Sequence, residues 1–241
     1  MDRLIYLAMS GAKATLQRQD QLANNLANAS TNGFRAELQA FRAVPVRGDG
    51  ASTRVYALDS SVGHDARSGP VQATGRALDV ALQGAAWLAV QSLDATEAYT
   101  RAGALQVGTD GQLVTPAGLP VLGDGGPITL PANAAVDVAS DGTLTTRVGN
   151  DPPQAAGRLK LVTTDAALTR GEDGLFRAEA GELAADPAAR LQSGALEGSN
   201  VSPVETMVAM IAAARQFEQQ MKVLQGAEQR EQAASRLLSP Q

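Results

Sequence analysis

The chain keeps its two long amphipathic segments for its ends, residues 4–28 and 202–238, and places a glycine-rich, β-patterned stretch between them. In the first segment Ile5, Ala8, Ala12, Thr15, Gln19, Leu22 and Leu26 recur at spacings of three and four. That rhythm is a helical seam, with small or polar residues at several seam positions. Such a seam allows close helix approach but buries little area, so the helix is marginal by itself. Leu4, Leu7, Leu16 and Ala23 widen the stripe, which can then serve more than one partner. Asn24, Asn25 and Asn28 crowd the end of the segment, and Gly33 supplies the positive φ that a helix stop or the turn beyond it demands. Those asparagines either cap and solvate the helix end or make hydrogen bonds between subunits that fix register.

The second segment opens with Ser202 as N-cap, Pro203 at the first helical position and Glu205 three residues after the serine, a capping box. Met207, Met210, Ala214, Phe217, Met221 and Leu224 carry the apolar rhythm, with Ile211 beside it. The seam meets Glu228 and Glu231 before Ser235 and Leu238 resume it. A helix over this whole segment is about 55 Å long, more than a compact domain of this size holds internally. Two readings follow: the helices pair within one monomer, or they join an intermolecular bundle. The poor seam of the first and the length of the second favour the bundle.

Between the helices, residues 35–75 read as an extended connector interrupted by Pro45, Gly48, Gly50, Gly63, Gly69 and Pro70, with a short strand near Arg54–Leu58. From residue 76 to about 190 the pattern is antiparallel β. Leu78, Val80 and Leu82 alternate, and Trp87–Val90, Leu105–Val107, Gln112–Thr115, Val136–Val138 and Leu159–Val162 read as strands. Asp-Gly at 110–111, 124–125, 141–142 and 173–174 predicts hairpin turns of type I′, in which both central residues take positive φ. The expected fold is thus α+β: residues 1–34 and 191–241 supply the helices, and 76–190 form an all-β domain.

Composition removes most chemistry. There is no cysteine and one histidine, His64, so thiolate sites, common zinc sites and Ser-His or Cys-His triads lack their parts. No catalytic residue, cofactor or metal site is expected. The Asp-Gly steps lack the alternating ligands of a calcium loop, and Gly123–Gly126 lacks the lysine of a phosphate loop. A net charge of −5 without a basic run argues against nucleic-acid binding. No stretch reaches the ~20 apolar residues of a membrane span, and the N-terminus lacks the pattern of a Sec signal peptide.

Several ordered motifs together resemble one family. Ala23-Asn24-Asn25-Leu26-Ala27-Asn28-Ala29-Ser30-Thr31-Asn32-Gly33-Phe34 is similar to the N-terminal signature of the flagellar rod and hook proteins. Gly194-Ala195-Leu196-Glu197-Gly198-Ser199-Asn200-Val201-Ser202-Pro203-Val204 resembles the segment before their C-terminal helix. Leu78–Ala81, Ala98–Arg101 and Gly118–Gly123 look like their β core. Phe34-Arg35-Ala36, then Arg42-Ala43-Val44-Pro45-Val46, and the ending Ala233–Ser239 are similar to the proximal-rod branch. The resemblance implies a non-enzymatic, self-assembling subunit of the bacterial flagellar basal-body rod, needed for motility. The terminal helices would form a coiled-coil inner domain around a channel, with the β domain outside. Partners would be other rod proteins, copies of the chain, and the flagellar type III export apparatus. Its place would be the periplasmic rod, reached without a Sec signal and without membrane insertion. Ile5, Ala8, Ala12, Leu22, Asn24, Asn25, Leu26, Asn28 and Phe34, with Met207, Met210, Ile211, Ala214, Phe217, Met221 and Leu224, would be the assembly interface. A distal-rod or hook-type axial protein, and an exported adhesive module on a helical stalk, are the alternatives.

Overall fold

A computed structural model describes residues 2–45, 55–132 and 134–238, with side chains at 6, 8–40, 42, 44, 63–132 and 134–230. Of the residues singled out above, Val46, Gly48, Gly50, Arg54 and Ser239 lie outside the described residues, as do the side chains of Leu4, Ile5, Leu7, Glu231, Ser235 and Leu238. The chain divides into two compact units.

The first unit, residues 1–29, 36–65 and 201–241, holds the terminal helices and a hairpin. Helix α1 spans Asp2–Ala27 and helix α2 spans Pro203–Leu238, within two residues of the periodicity reading at each end. The two helices pack on each other. Strands β1 (Glu37–Pro45) and β2 (Val55–His64) pair antiparallel from Glu37↔His64 to Pro45↔Val55, with a bulge between Ala40 and Phe41. This corrects the expected extended connector over 35–75. A pairing partner many residues away leaves no local signature.

The second unit, residues 30–35 and 66–200, is all β. Its strands are β3 (Val71–Ala73), β4 (Val80–Leu82), β5 (Ala86–Gln91), β6 (Glu97–Thr100), β7 (Gln106–Val107), β8 (Leu113–Val114), β9 (Leu122–Gly123), β10 (Gly126–Pro127), β11 (Ala134–Val138), β12 (Thr143–Val148), β13 (Gln154–Arg158), β14 (Leu161–Thr163), β15 (Leu168–Arg170), β16 (Phe176–Ala178), β17 (Leu191–Ser193) and β18 (Ala195–Glu197). A five-stranded sheet in the order β14-β5-β6-β16-β15 is its centre, and β11-β12-β13 form a second sheet. The remaining strands pair two by two, β17 with β4, β18 with β3, β7 with β8 and β9 with β10.

Strand β5 explains why the unit is stable with so few aromatics. Its side chains alternate between faces, yet both faces are covered. Leu88 and Val90 enter an aliphatic core with Val80, Leu105, Leu113, Leu144, Leu159, Leu161 and Leu191. Trp87 and Ala89 face the other way, against Tyr99, Val162, Leu168 and Phe176. The Trp87 and Phe176 rings are 4.6 Å apart. Strand β4 departs from the alternation expected at Leu78–Leu82, because all three of its residues are buried.

The Asp-Gly steps do sit at hairpin turns, but not of the expected type: at Asp124-Gly125, the two-residue link between β9 and β10, neither residue takes positive φ. Residues 108–112, 139–143 and 171–175 share one loop, closed by the bonds Gly108 N–H to Gln112 O, Ala139 N–H to Thr143 O and Gly171 N–H to Leu175 O. Only the glycine takes positive φ: Gly111 at 81°, Gly142 at 88° and Gly174 at 78°. The aspartate before it stays in the ordinary region and accepts a hydrogen bond from the amide two residues on. This is the three-residue loop of a type I turn followed by a bulge.

Candidate assembly surface

Helices α1 and α2 bury small side chains in the first unit. Ala8, Ala12 and Thr15 of α1 and Thr206 and Ala213 of α2 are each under a tenth exposed. Thr15 bonds its hydroxyl back to the Gly11 carbonyl at 2.9 Å, and a Cβ on Gly11 would lie 3.1 Å from Gln220 Nε2. Small residues at this seam let the backbones approach, as their spacing predicts, but the apolar area covered is slight.

Several larger apolar side chains among the described residues point outward. Tyr6, Met9 and Leu16 are 56, 54 and 44% exposed on α1. On α2 the row Val204, Met207, Val208, Ile211 is 72, 51, 62 and 55% exposed. Those positions follow the spacing of one helical face. Met221 and Val223 are exposed farther along, while Met210, Ala214, Phe217 and Leu224 are half-buried, as are Leu22 and Leu26 on α1. Of the expected interface, Ala8 and Ala12 are therefore already covered within the chain. Tyr6, Met9, Val204 and Val208 were not among the expected interface residues, although their apolar character and spacing were open to reading.

The asparagines divide by role. Asn25 is buried, accepts from the Glu37 amide at 2.8 Å and donates to the Glu37 carbonyl at 3.1 Å. It pins the start of β1 to the end of α1, and Gln21 Nε2 donates to the same carbonyl. Asn28 donates its side-chain amide to the Asn24 carbonyl at 2.9 Å, closing the last turn. Asn24 itself is exposed. At α2, Ser202 Oγ accepts from the Glu205 amide at 3.4 Å, and Pro203 is the first helical residue. The capping pattern is thus present on the serine side. Thr206 supplements it, its amide and hydroxyl both donating to the Ser202 carbonyl.

In the second unit, residues 30–35 are held by one carboxylate. Glu197, 1% exposed, receives Arg35 at 2.8 Å on one oxygen and Arg101 at 2.7 Å on the other. The Gly69 amide donates to the first oxygen at 3.0 Å. Arg101 also donates to the carbonyls of Leu82, Gly84 and Ala86, and Arg35 to that of Arg67. Two guanidiniums share one buried carboxylate, which balances one of their two positive charges, while backbone carbonyls accept from both. Gly33, at φ +70°, gives its amide hydrogen to the Glu197 carbonyl at 2.7 Å. A Cβ there would lie 2.3 Å from the Arg101 carbonyl carbon, so only glycine fits. Phe34 is buried under Arg170, whose Cζ is 4.3 Å from the ring centroid. Phe34, expected at the assembly interface, is instead part of the β core's edge. Asp79 of the Leu78–Ala81 motif is buried and takes hydrogen bonds from Thr74 and Arg76.

No helix among the described residues is long and apolar enough to cross a membrane.

Known proteins match the chain along nearly its whole length. Residues 5–35 match the family model described as flagella basal body rod protein. Residues 81–146 match that of the flagellar hook protein FlgE/F/G D1 domain, and 192–237 that of the flagellar basal body rod FlgEFG protein C-terminal. The chain is 51% identical to the flagellar basal-body rod protein FlgF of Salmonella typhimurium strain LT2 and 48% identical to that of Escherichia coli strain K12. It is 31% identical to the FlgF of Buchnera aphidicola subsp. Schizaphis graminum. In all three cases the match covers 99% of both chains.

Proposed function

The chain belongs to the FlgF family of flagellar basal-body rod proteins and is a structural subunit of the rod, and we propose that it assembles through the outward faces of its terminal helices. The observation that carries this is the exposed row Val204, Met207, Val208, Ile211 on α2, with Tyr6, Met9 and Leu16 on α1. A soluble monomer gains nothing by keeping seven large apolar residues in water along two helices. Repeated helical stacking gives each of these faces a neighbour, because heterologous contacts that do not close into a ring use two different surfaces of every subunit.

On this reading the first unit, residues 1–29, 36–65 and 201–241, is the coiled-coil inner domain lining the export channel, and the second, residues 30–35 and 66–200, is the outer domain. Leu22, Asn24, Leu26, Met210, Ile211, Ala214, Phe217, Met221 and Leu224 join the contact, while Ala8, Ala12, Asn25 and Phe34 support it from within the subunit. The partners are copies of the chain and the neighbouring proximal- and distal-rod subunits across the periplasm. The chain reaches them through the flagellum's own type III apparatus, and its work is to transmit torque rather than to catalyse a reaction. Small-residue seams offset little of the entropy of ordering the ends, so the helices form fully only on docking.

The test is complementation of a deletion strain by Ile211→Glu. The variant should restore neither hook assembly nor swimming, while the fluorescence of Trp87, the sole tryptophan, stays that of the folded β unit. Normal swimming by Ile211→Glu cells would sink the assigned face.

A further inference from the structure

Asn32-Gly33 is the one Asn-Gly step in the sequence. At such a step the asparagine amide is most open to its own backbone, because glycine sets no Cβ beside the attacking nitrogen. The Gly33 nitrogen bonds to Asn32 Cγ and gives up its proton, and ammonia leaves as a succinimide closes. Water then opens the ring at either carbonyl to give aspartate or isoaspartate. Nothing but water enters.

The fold places the two partners of that reaction differently. The Asn32 side chain is exposed, whereas Gly33 is buried. The Gly33 N–H is held by the Glu197 carbonyl at 2.7 Å. Swinging the Asn32–Gly33 peptide so that this nitrogen meets Cγ would break that bond. It would also lift Phe34, 4% exposed, from under Arg170, and pull Arg35 from Glu197. We propose that Asn32-Gly33 is a self-modification site that the docked segment 30–35 holds shut, and that it converts only in chains whose segment is undocked.

The product is then excluded from its place. Isoaspartate routes the main chain through Cβ, adds one backbone atom before Gly33 and brings a carboxylate. A site in which a Cβ on Gly33 would lie 2.3 Å from the Arg101 carbonyl carbon has no room for a lengthened backbone. Conversion therefore marks, irreversibly, chains that have stayed long undocked, and it removes them from the pool able to complete the β unit.

Two measurements on the full chain test this. Native protein and a synthetic peptide of residues 19–35 are aged together at neutral pH and digested with trypsin, and conversion at Asn32 is followed by mass spectrometry. Native conversion should be about a hundredfold slower, since opening must break a buried ion pair; equal rates overturn the proposal. In the second, the full chain is aged unfolded in urea and then refolded, beside Asn32→Ser, which cannot close the ring. Refolded Asn32→Ser should regain resistance to trypsin at Arg35, which is 1% exposed. Aged wild-type chains carrying isoaspartate should not. If the converted chains regain that resistance as fully as Asn32→Ser does, the exclusion is wrong.

Discussion

Glu197 is the residue on which most of the second unit's polar interior depends. Its carboxylate is shared by two arginines and the Gly69 amide, all buried. Removing the charge leaves two guanidiniums without a counterion in a dry site, which is far costlier than losing a surface pair. Glu197→Gln should lower the stability of the β unit by about 3 kcal/mol, read from urea unfolding followed by Trp87 fluorescence; a loss under ~1 kcal/mol, the range of surface pairs, would show that water reaches the site. Asp173 is a surface counterpart. Its hydrogen bond from Arg177, 2.7 Å away, holds its carboxyl down to about 2. A carboxyl depressed on folding adds stability above its unfolded value, and that stability fades as pH falls toward the folded one. Asp173→Asn should therefore cost about 1 kcal/mol at neutral pH, after allowing for screening at a partly exposed site, and the difference from wild type should vanish near pH 2. Thermal melts of both proteins across that range are the check. The charged residues Arg35, Arg101 and Glu197 were all visible inside quoted motifs. Their meeting was not, because sequence spacing carries no information on contacts between positions so far apart.

Turns are the elements that repeat most regularly. The loop found at 108–112, 139–143 and 171–175 recurs at 92–96 and 115–119, closed by Ser92 N–H to Thr96 O and Thr115 N–H to Leu119 O. Asp94 plays the usual aspartate role, accepting from the Thr96 amide at 3.2 Å. In the last copy Thr115 Oγ substitutes, accepting from the Leu119 amide at 3.2 Å. The fourth position is glycine in four copies and Ala95 in the other, where φ is +61°. A Cβ in the left-handed region costs about 1 kcal/mol, partly offset by the wider freedom that glycine has when unfolded. Ala95→Gly should thus stabilise the β unit by roughly 0.5 kcal/mol, seen as a small rise in the urea midpoint; a fall would mean that the alanine is not strained. Asp-Gly was legible as a turn signal because its chemistry is local. Its turn type was misread because Asp-Gly serves both loop geometries and only the closing bonds tell them apart. The copies at Asp94-Ala95 and Ala117-Gly118 carry a weaker signal and went unread.

At the scale of the whole molecule the two units differ in what holds them. The terminal helices were legible almost to the residue, since periodicity and capping are local properties. The β1–β2 hairpin was not, and neither was the division of the seam into a covered side at Ala8 and Ala12 and an open side at Met9 and Ile211. Covering depends on which helix face meets which partner, and a widened stripe allows several answers. The consequence is energetic. The β unit has two cores of branched and aromatic side chains around β5, whereas among the described residues α1 and α2 bury mainly alanine and threonine. Apolar burial scales with area, so the first unit is the weaker in a free subunit. Dilute monomer titrated with urea should lose its helical circular dichroism well before Trp87 fluorescence changes. The helical signal at zero urea should also rise when rod partners are added, because docking adds the burial that the seam lacks. One coincident transition for both probes would mean that the helices are already fully stabilised in the monomer, and that assembly adds contacts to a finished structure instead of completing an unfinished one.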